Sequence, residues 1–176
     1  TAPLLPPNDR GAILFTEPGD SFTLVRASSD TPQTPPGVVF DGLPSFAFND
    51  AGQTLFTYTN AGIWRVEDGL WAKVAGVGDT APGTAVNTRF ASIYSSALIN
   101  TSGNTAFIGN VEGPEIDNRL MGSGIWMGSP GNLRLLVQSY DQAAGVEEGI
   151  KYGGFPDAIH NNSGLPRVFT LNSADQ

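Results

Sequence analysis

The sequence predicts an all-β protein, and two observations carry that prediction. The 176 residues include 22 glycines and 13 prolines, which lie between short apolar runs instead of inside long helical patterns. A stretch with Asn, then Gly three residues later, then a bulky apolar residue occurs four times. Its copies are "NDRGAILF" (8–15), "NDAGQTLF" (49–56), "NTSGNTAF" (100–107) and "NNSGLPRVF" (161–169). The length favours a single domain.

Each of these stretches predicts a β-hairpin. Asn49 and Asn100 are placed to hydrogen-bond back to the backbone, and Gly52 and Gly103 to take the left-handed conformation that a tight turn needs. An apolar residue four positions after the glycine then fixes the register of the returning strand. The expected core anchors are Phe56 and Phe107. The same turn roles are assigned in the outer copies to Asn8, Gly11, Asn161 and Gly164.

A second pair of matches follows the two central hairpins. The tripeptide "GIW" occurs at 62–64 and 124–126, and in both places a tight turn and another strand follow it. Because the tripeptide recurs within strands, Trp64 and Trp126 are predicted to be core residues.

The ends of these segments also match. Val25, Val74 and Val137 are placed in register, and a loop rich in Gly and Pro follows each of them. The three loops are predicted to lead to Phe40, Phe90 and Phe155.

The matches divide the chain into units of about 8–48, 49–99 and 100–160, with a C-terminal hairpin at 157–171. Periods of roughly 40 to 50 residues containing four strands are typical of β-propeller blades or of a stacked β array, because one small sheet cannot bury both faces alone. A β-sandwich of ordinary hairpins is the alternative architecture.

These motifs resemble those of the choice-of-anchor tandem repeat proteins, predicted bacterial surface proteins named for an NxxGxxAF motif. "NTSGNTAF" matches the motif in full, and "NDAGQTLF" and "NDRGAILF" differ only at the Ala before Phe. In the last copy Val168 takes the Phe position and Phe169 follows it. The resemblance implies a secreted, surface-attached β-repeat protein and implies no known activity.

The number of units leads to a functional hypothesis. Roughly three repeats are fewer than the four blades that a closed propeller usually needs, and an incomplete ring leaves strand edges unpaired. The C-terminal hairpin can close onto its own chain, it can add to the next subunit as a ring or filament, or the sequence is part of a longer protein. We therefore expect a non-enzymatic, extracellular structural protein that self-associates through β-strand edges.

The composition excludes several classes of partner. The net charge of −8 and the pI near 4.4 argue against nucleic acid and against anionic membranes. No apolar run is long enough for membrane insertion, and the first residues lack the pattern of a signal peptide, so an exported form is expected to be the mature one. The absence of cysteine excludes disulfides and thiol chemistry.

Catalytic residues are scarce in the sequence. The one histidine, His160, rules out a catalytic triad or a multi-histidine metal site within one chain, and it is expected to be structural. The acidic pairs Glu115 with Asp117 and Glu147 with Glu148 are the candidates for glycoside hydrolysis, although they sit in polar loops. A fragment of a propeller enzyme is therefore the third and weakest hypothesis.

The sequence offers two kinds of candidate ligand site. No cofactor is expected, and Ca²⁺ is considered only because Asp30, Asp79 and Asp141 recur at matching places, which turn capping explains equally well. A glycan-binding module is the second functional hypothesis, with Trp71 and Tyr152 as candidate stacking platforms.

Overall fold

The structure is a computed structural model that describes residues 12–16, 22–26, 45–58, 61–94, 96–114, 116, 122–153 and 171–172. For the first two ranges only the backbone is described. Eleven strands and no helix lie within these residues: β1 (Ala12–Thr16), β2 (Phe22–Arg26), β3 (Ser45–Phe48), β4 (Thr54–Tyr58), β5 (Gly62–Glu67), β6 (Leu70–Gly76), β7 (Arg89–Ile93), β8 (Leu98–Ile99), β9 (Thr105–Glu112), β10 (Ser123–Ser129) and β11 (Asn132–Gln138). The all-β prediction is confirmed.

The strands form a two-stranded hairpin and two larger antiparallel sheets. Strands β1 and β2 pair with each other, the first sheet has the order β3-β4-β5-β6, and the second has the order β11-β10-β9-β7. Strand β8 also pairs with β9, on the same side as β7, so that β8 covers the start of β9 and β7 covers its end. The described strands do not close into a barrel or a propeller ring.

The two sheets share one pairing pattern. Thr54 lies opposite Phe48 in the first sheet, and Thr105 lies opposite Ile99 in the second. The aromatic pairs match as well, since Phe56 faces Trp64 and Phe107 faces Trp126. A register shift follows Ile63 in β5 and follows Ile125 in β10. Residues at the same register position in the two sheets are called counterparts below.

The main hydrophobic core lies between the two sheets. Leu55 and Ile63 of the first sheet pack with Phe107 and Trp126 of the second. Phe90 lies in β7 of the second sheet, and the centroid of its ring is 4.8 Å from that of Trp126 in an edge-on arrangement. Burial of side chains of this size stabilises the fold by about 1.5–3 kcal/mol each. The core positions predicted for Phe107 and Trp126 are confirmed.

A smaller core cluster lies on the opposite face of the first sheet. Phe56, Tyr58 and Val66 are buried there, and Trp64 and Trp71 are half-buried against them. Phe56 is therefore a core anchor, as predicted, although it faces away from the second sheet. Burial raises the pKa of Tyr58.

One detail of the predicted register is wrong. Ala75 lies opposite Ile63, and Val137 lies opposite Ile125, so that the counterpart of Val137 is Ala75 and not Val74. The β-bulge inserts one extra residue into this strand pair, so that the structural counterparts differ by one position from the match between the two sequences.

Some predicted features lie outside the described residues. These are the turns of the first and last copies, His160, and the hairpin at 157–171 except for Leu171. The turn residues concerned are Asn8, Gly11, Asn161 and Gly164.

Candidate functional site

The two central asparagines form the predicted turns. The side-chain oxygen of Asn49 accepts hydrogen bonds from the backbone N–H of Ala51 at 3.1 Å and of Gln53 at 3.0 Å. That of Asn100 accepts from the N–H of Asn104 at 2.9 Å. Gly52 and its counterpart Gly103 both have φ of +79°, the left-handed conformation expected from sequence.

The amide groups of the same asparagines connect neighbouring turns. Asn49 donates from Nδ2 to the backbone carbonyl of Asn100 at 2.7 Å. Asn100, which is buried, donates in the same way to the carbonyl of Asn172 at 3.0 Å. Asn172 therefore stands to Asn100 as Asn100 stands to Asn49.

Sequence reasoning missed Asn172 and chose Asn161 as the fourth turn residue. A signal was present, because "FTLNSADQ" (169–176) matches "FAFNDAGQ" (46–53) in its Phe, Asn, Ala and Gln. Asp175 occupies the third position after Asn172, where the other copies have glycine. In the structure, the hydrogen bond from Asn100 to the carbonyl of Asn172 identifies Asn172 as the next asparagine of the series.

The turn at Gly103 also rests against the first sheet. Arg65 donates from Nη1 to the carbonyl of Gly103 at 3.2 Å. A Cβ atom at Gly103 would lie 2.6 Å from Oε1 of Gln53, whereas a Cβ at Gly52 would meet nothing within 4 Å. The two glycines are alike in backbone conformation and differ in what surrounds them.

The loop of residues 77–88, called the first loop, packs on Trp126. The indole Nε1 of Trp126 donates to the carbonyl of Pro82 at 2.9 Å. A Cβ at Gly83 would lie 2.7 Å from Cβ of Leu135, so the loop approaches β11 closely. The counterpart of Trp126 is Trp64, whose Nε1 is buried and has no acceptor among the described residues.

Residues 139–150, called the second loop, repeat the hydrogen bonds of the first. Phe90 exchanges backbone bonds of 2.8 and 3.0 Å with residues 78–79, and Tyr152 exchanges bonds of 2.9 and 3.0 Å with residues 140–141. The counterpart of Phe90 is therefore Tyr152, so the sequence-based choice of Phe155 is wrong. Tyr152 lies three residues before Phe155, and it is a tyrosine where the pattern required a phenylalanine.

The two loops and the strands before them differ sharply in exposure. Val74, which lies in the core between the sheets, and Thr88, the last residue of the first loop, are 5% and 0% exposed. Their counterparts Leu136 and Ile150 are 47% and 50% exposed. The name outer face is used for the face of the second sheet turned away from the first, together with the second loop. Its half-buried and exposed apolar residues are Ile125, Leu136, Val137, Tyr140, Val146 and Ile150. Ala106, Ile108 and Met127, which the register places on the same face of β9 and β10, are each 2% exposed, so the exposure is confined to the side of β11 and the second loop.

The described residues hold little that resembles catalytic or metal-binding chemistry. A cleft of about 310 Å³ lies between the first loop and the β10–β11 turn, and its one ionisable lining residue, Asp79, pairs with Lys73 at 2.8 Å. Glu147 and Glu148 are exposed on the second loop. No group of three or more potential metal ligands occurs in the described part of the chain.

The two candidate glycan platforms take part in packing within the chain. The ring of Trp71 stacks on Phe56, with centroids 5.1 Å apart, and is half-buried. The hydroxyl of Tyr152 accepts a hydrogen bond from the N–H of Ala144 at 3.0 Å and so braces the second loop. Glycan binding stays a prediction, and the most exposed tyrosine of the outer face is Tyr140.

Within the described ranges, no helix has the length and apolarity required to cross a membrane. The fold so far defines an all-β protein of stacked antiparallel sheets. The chain belongs to a family of unknown function, DUF7453, whose model matches residues 5–170. Neither a curated protein nor a solved structure matches it.

Proposed function

We propose that the protein is a non-enzymatic structural component of an extracellular or cell surface, which it builds or decorates by associating with copies of itself. The observation that carries the proposal is the contrast between the two sheets. Val74 of the first sheet is buried in the core between the sheets, at 5% exposure, whereas its counterpart Leu136 in the last strand of the second sheet is 47% exposed. Contiguous apolar patches on a soluble protein mark interaction sites.

The matching geometry of the two sheets supports a tandem array as the organising principle. Strand register, the bulge in the third strand pair and the hydrogen bonds of the two loops agree position by position. An array of this kind offers one surface at its start and a different, complementary surface at its end. Contact between such ends is head-to-tail, and it produces a ring if the rotation closes and a filament if it does not.

The extracellular location is part of the proposal and rests on the resemblance to surface repeat proteins. A net charge of −8 keeps single chains soluble before they associate and works against binding to nucleic acid.

The test is the oligomeric state of the purified protein over a wide range of concentration. Sedimentation velocity and light scattering are expected to show species larger than one chain that increase with concentration. Electron microscopy then separates a ring of fixed size from a filament of variable length. A particle that stays monomeric at the highest concentration reached contradicts the proposal.

A further inference from the structure

The first and second loops share one backbone conformation. They are equal in length, and three positions in each have positive φ, which coincide when the loops are aligned on their hydrogen bonds. In the first loop these are Gly78, Gly83 and Asn87, and in the second they are Tyr140, Gly145 and Gly149. Positive φ is uncommon outside glycine, so the agreement shows that both loops form the same frame.

The first loop shows what this frame holds. The carbonyl of Pro82 accepts the hydrogen bond from the indole of Trp126, and the ring of Phe90 lies edge-on to the same indole at 4.8 Å. Leu135 lies opposite Trp126 in the strand pair, and its Cβ is 2.7 Å from the place of an added Cβ at Gly83. The first loop therefore binds a β-hairpin that carries tryptophan across from leucine.

The second loop presents the same three groups. The counterparts of the acceptor residue, the bare glycine and the aromatic ring are Ala144, Gly145 and Tyr152. Ala144 and Gly145 are exposed, and a Cβ at Gly145 would meet nothing within 4 Å. The bond from Ala144 to the hydroxyl of Tyr152 uses the N–H of Ala144 and not its carbonyl.

The strand beside the second loop adds an apolar surface. Val74, the counterpart of Leu136, packs in one cluster with Trp126 and Leu135. Leu136 itself is 47% exposed, and Ile150 at the end of the second loop is 50% exposed. Exposed apolar residues that lie together mark an interaction site. Because β9 and β10 are covered on this face, the site is limited to β11 and the second loop.

We propose that the second loop, with Leu136 and Tyr152 beside it, is a binding site for a β-hairpin of another protein that carries tryptophan across from leucine. The indole N–H of the partner donates to the carbonyl of Ala144, and the indole ring lies edge-on to Tyr152. The leucine of the partner lies over Gly145, where only a residue without a side chain permits this approach.

The tryptophans of the chain itself are engaged elsewhere. Trp126 is held by the first loop, and the ring of Trp71 stacks on Phe56. The indole nitrogen of Trp64 is buried, and Lys73 instead of leucine lies across from this residue. A second copy therefore does not supply the occupant. The inference goes beyond the proposed self-association, because association between copies through strand edges does not require this site.

A cyclic hairpin peptide is the probe for this site. Its sequence is that of residues 123–138, which form β10 and β11, and a D-Pro-Gly turn closes its open end. The matched peptide carries Trp126→Phe, and NMR verifies the hairpin in both. Fluorescence anisotropy of the labelled peptides measures binding to the dilute full chain. The Phe peptide is expected to bind about tenfold more weakly, because the carbonyl of Ala144 loses its donor.

Two glycine variants of the full chain locate the binding. Gly145→Ala adds a methyl group where the partner approaches most closely, so the dissociation constant is expected to rise about tenfold. Gly131→Ala, in the turn at the other end of β11, is the matched control. The φ values are +76° at Gly145 and +78° at Gly131, and an added Cβ meets nothing within 4 Å at either residue. The control is expected to stay within about twofold of the parent.

Leu136→Glu tests the apolar surface without strain at a glycine. The new charge is in solvent in the free protein and is buried in the complex, so the dissociation constant is expected to rise about tenfold or more. Leu70→Glu, at a position 75% exposed on the first sheet, is the control and is expected to leave binding unchanged. Circular dichroism verifies that the variants are folded.

The outcomes separate this inference from the proposed function. Equal binding of the two peptides, no binding of either, or equal losses in the Gly145→Ala and Gly131→Ala variants overturns the inference. If the parent assembles and Gly145→Ala does not, copies of the chain occupy the second loop, which overturns the inference and leaves self-association standing. Selective binding of the tryptophan peptide by a chain that never assembles supports the inference and overturns the proposed function.

Discussion

The side-chain amide of Asn49 donates a hydrogen bond of 2.7 Å to the backbone carbonyl of Asn100, 51 residues further along the chain. The same asparagine shapes its own turn through its side-chain oxygen, which accepts from Ala51 and Gln53. One residue thus fixes both a hairpin and the position of the next sheet. The conformation of a turn and the stacking of sheets are coupled through it.

Asn49→Asp separates these two roles, because aspartate keeps the oxygen that shapes the turn and loses the amide donor. The substitution is expected to lower the free energy of unfolding by about 1–3 kcal/mol, since the carbonyl of Asn100 loses its donor and faces a carboxylate. Urea denaturation measures the change. Asn132→Asp, at the exposed first residue of β11, is expected to stay within about 0.5 kcal/mol of the parent. Equal losses in both variants would show that the bond between the turns contributes nothing.

Gly103→Ala is expected to destabilise the protein more than Gly52→Ala. Both substitutions place a Cβ at φ of +79°, which costs about 1–3 kcal/mol. At Gly103 the new atom also displaces Gln53, whose side chain is bonded to Asn49 and Glu67. Thermal denaturation of the two variants gives the difference, and a larger effect at Gly52 contradicts this account of the contact.

Trp126→Phe is expected to lower the free energy of unfolding by about 1–3 kcal/mol, because the core loses volume and the carbonyl of Pro82 loses its donor. Trp64→Phe is the matched variant at the counterpart position. It is expected to cost less, since the indole N–H that it removes has no acceptor among the described residues. Chemical denaturation followed by circular dichroism compares the two, and a greater loss for Trp64→Phe would mean that this N–H does find a partner.

Stability is expected to fall in alkaline solution because of Tyr58. Burial raises its pKa in the folded chain above the value of 10.0 for an unperturbed tyrosine. The unfolded state therefore releases the proton first, so the contribution of Tyr58 is intact below about pH 10 and declines as the pH rises further. The free energy of unfolding measured against pH is expected to decline less steeply for Tyr58→Phe than for the parent. Tyr140→Phe serves as the comparison at an exposed position, and an unchanged slope for Tyr58→Phe would contradict the prediction.

The sequence predicted the features that depend on local chemistry. Asn49 with Gly52 and Asn100 with Gly103 specify their turns within a few residues, and the spacing to the following aromatic residue specifies a buried strand position. The prediction that Val74 is the counterpart of Val137 was wrong, because a β-bulge is defined by backbone hydrogen bonds and is not marked by a particular residue type in the sequence.

The candidate site was only partly predictable. The sequence did not indicate which apolar strand positions lie in solvent, since alternating apolar residues mark two faces of a strand without showing how far each face is covered. Val74 and Leu136 are counterparts in the structure, yet one is buried and the other exposed, which follows from the stacking of the sheets and not from the letters. Asn172 escaped notice because Asp175 replaces the turn glycine that defined the pattern.

One edge of the second sheet is divided between two short strands, and this division affects aggregation through strand pairing. Strand β8 has two residues and β7 has five, and the two share one side of β9 with a break between them. Long, flat edges are the templates on which amyloid-type cross-β growth begins, because they present an unbroken row of backbone donors and acceptors. A foreign strand docking along this side would run out of consecutive partners after a few residues. On this side of the sheet, the interruption therefore limits the length over which a foreign strand can pair.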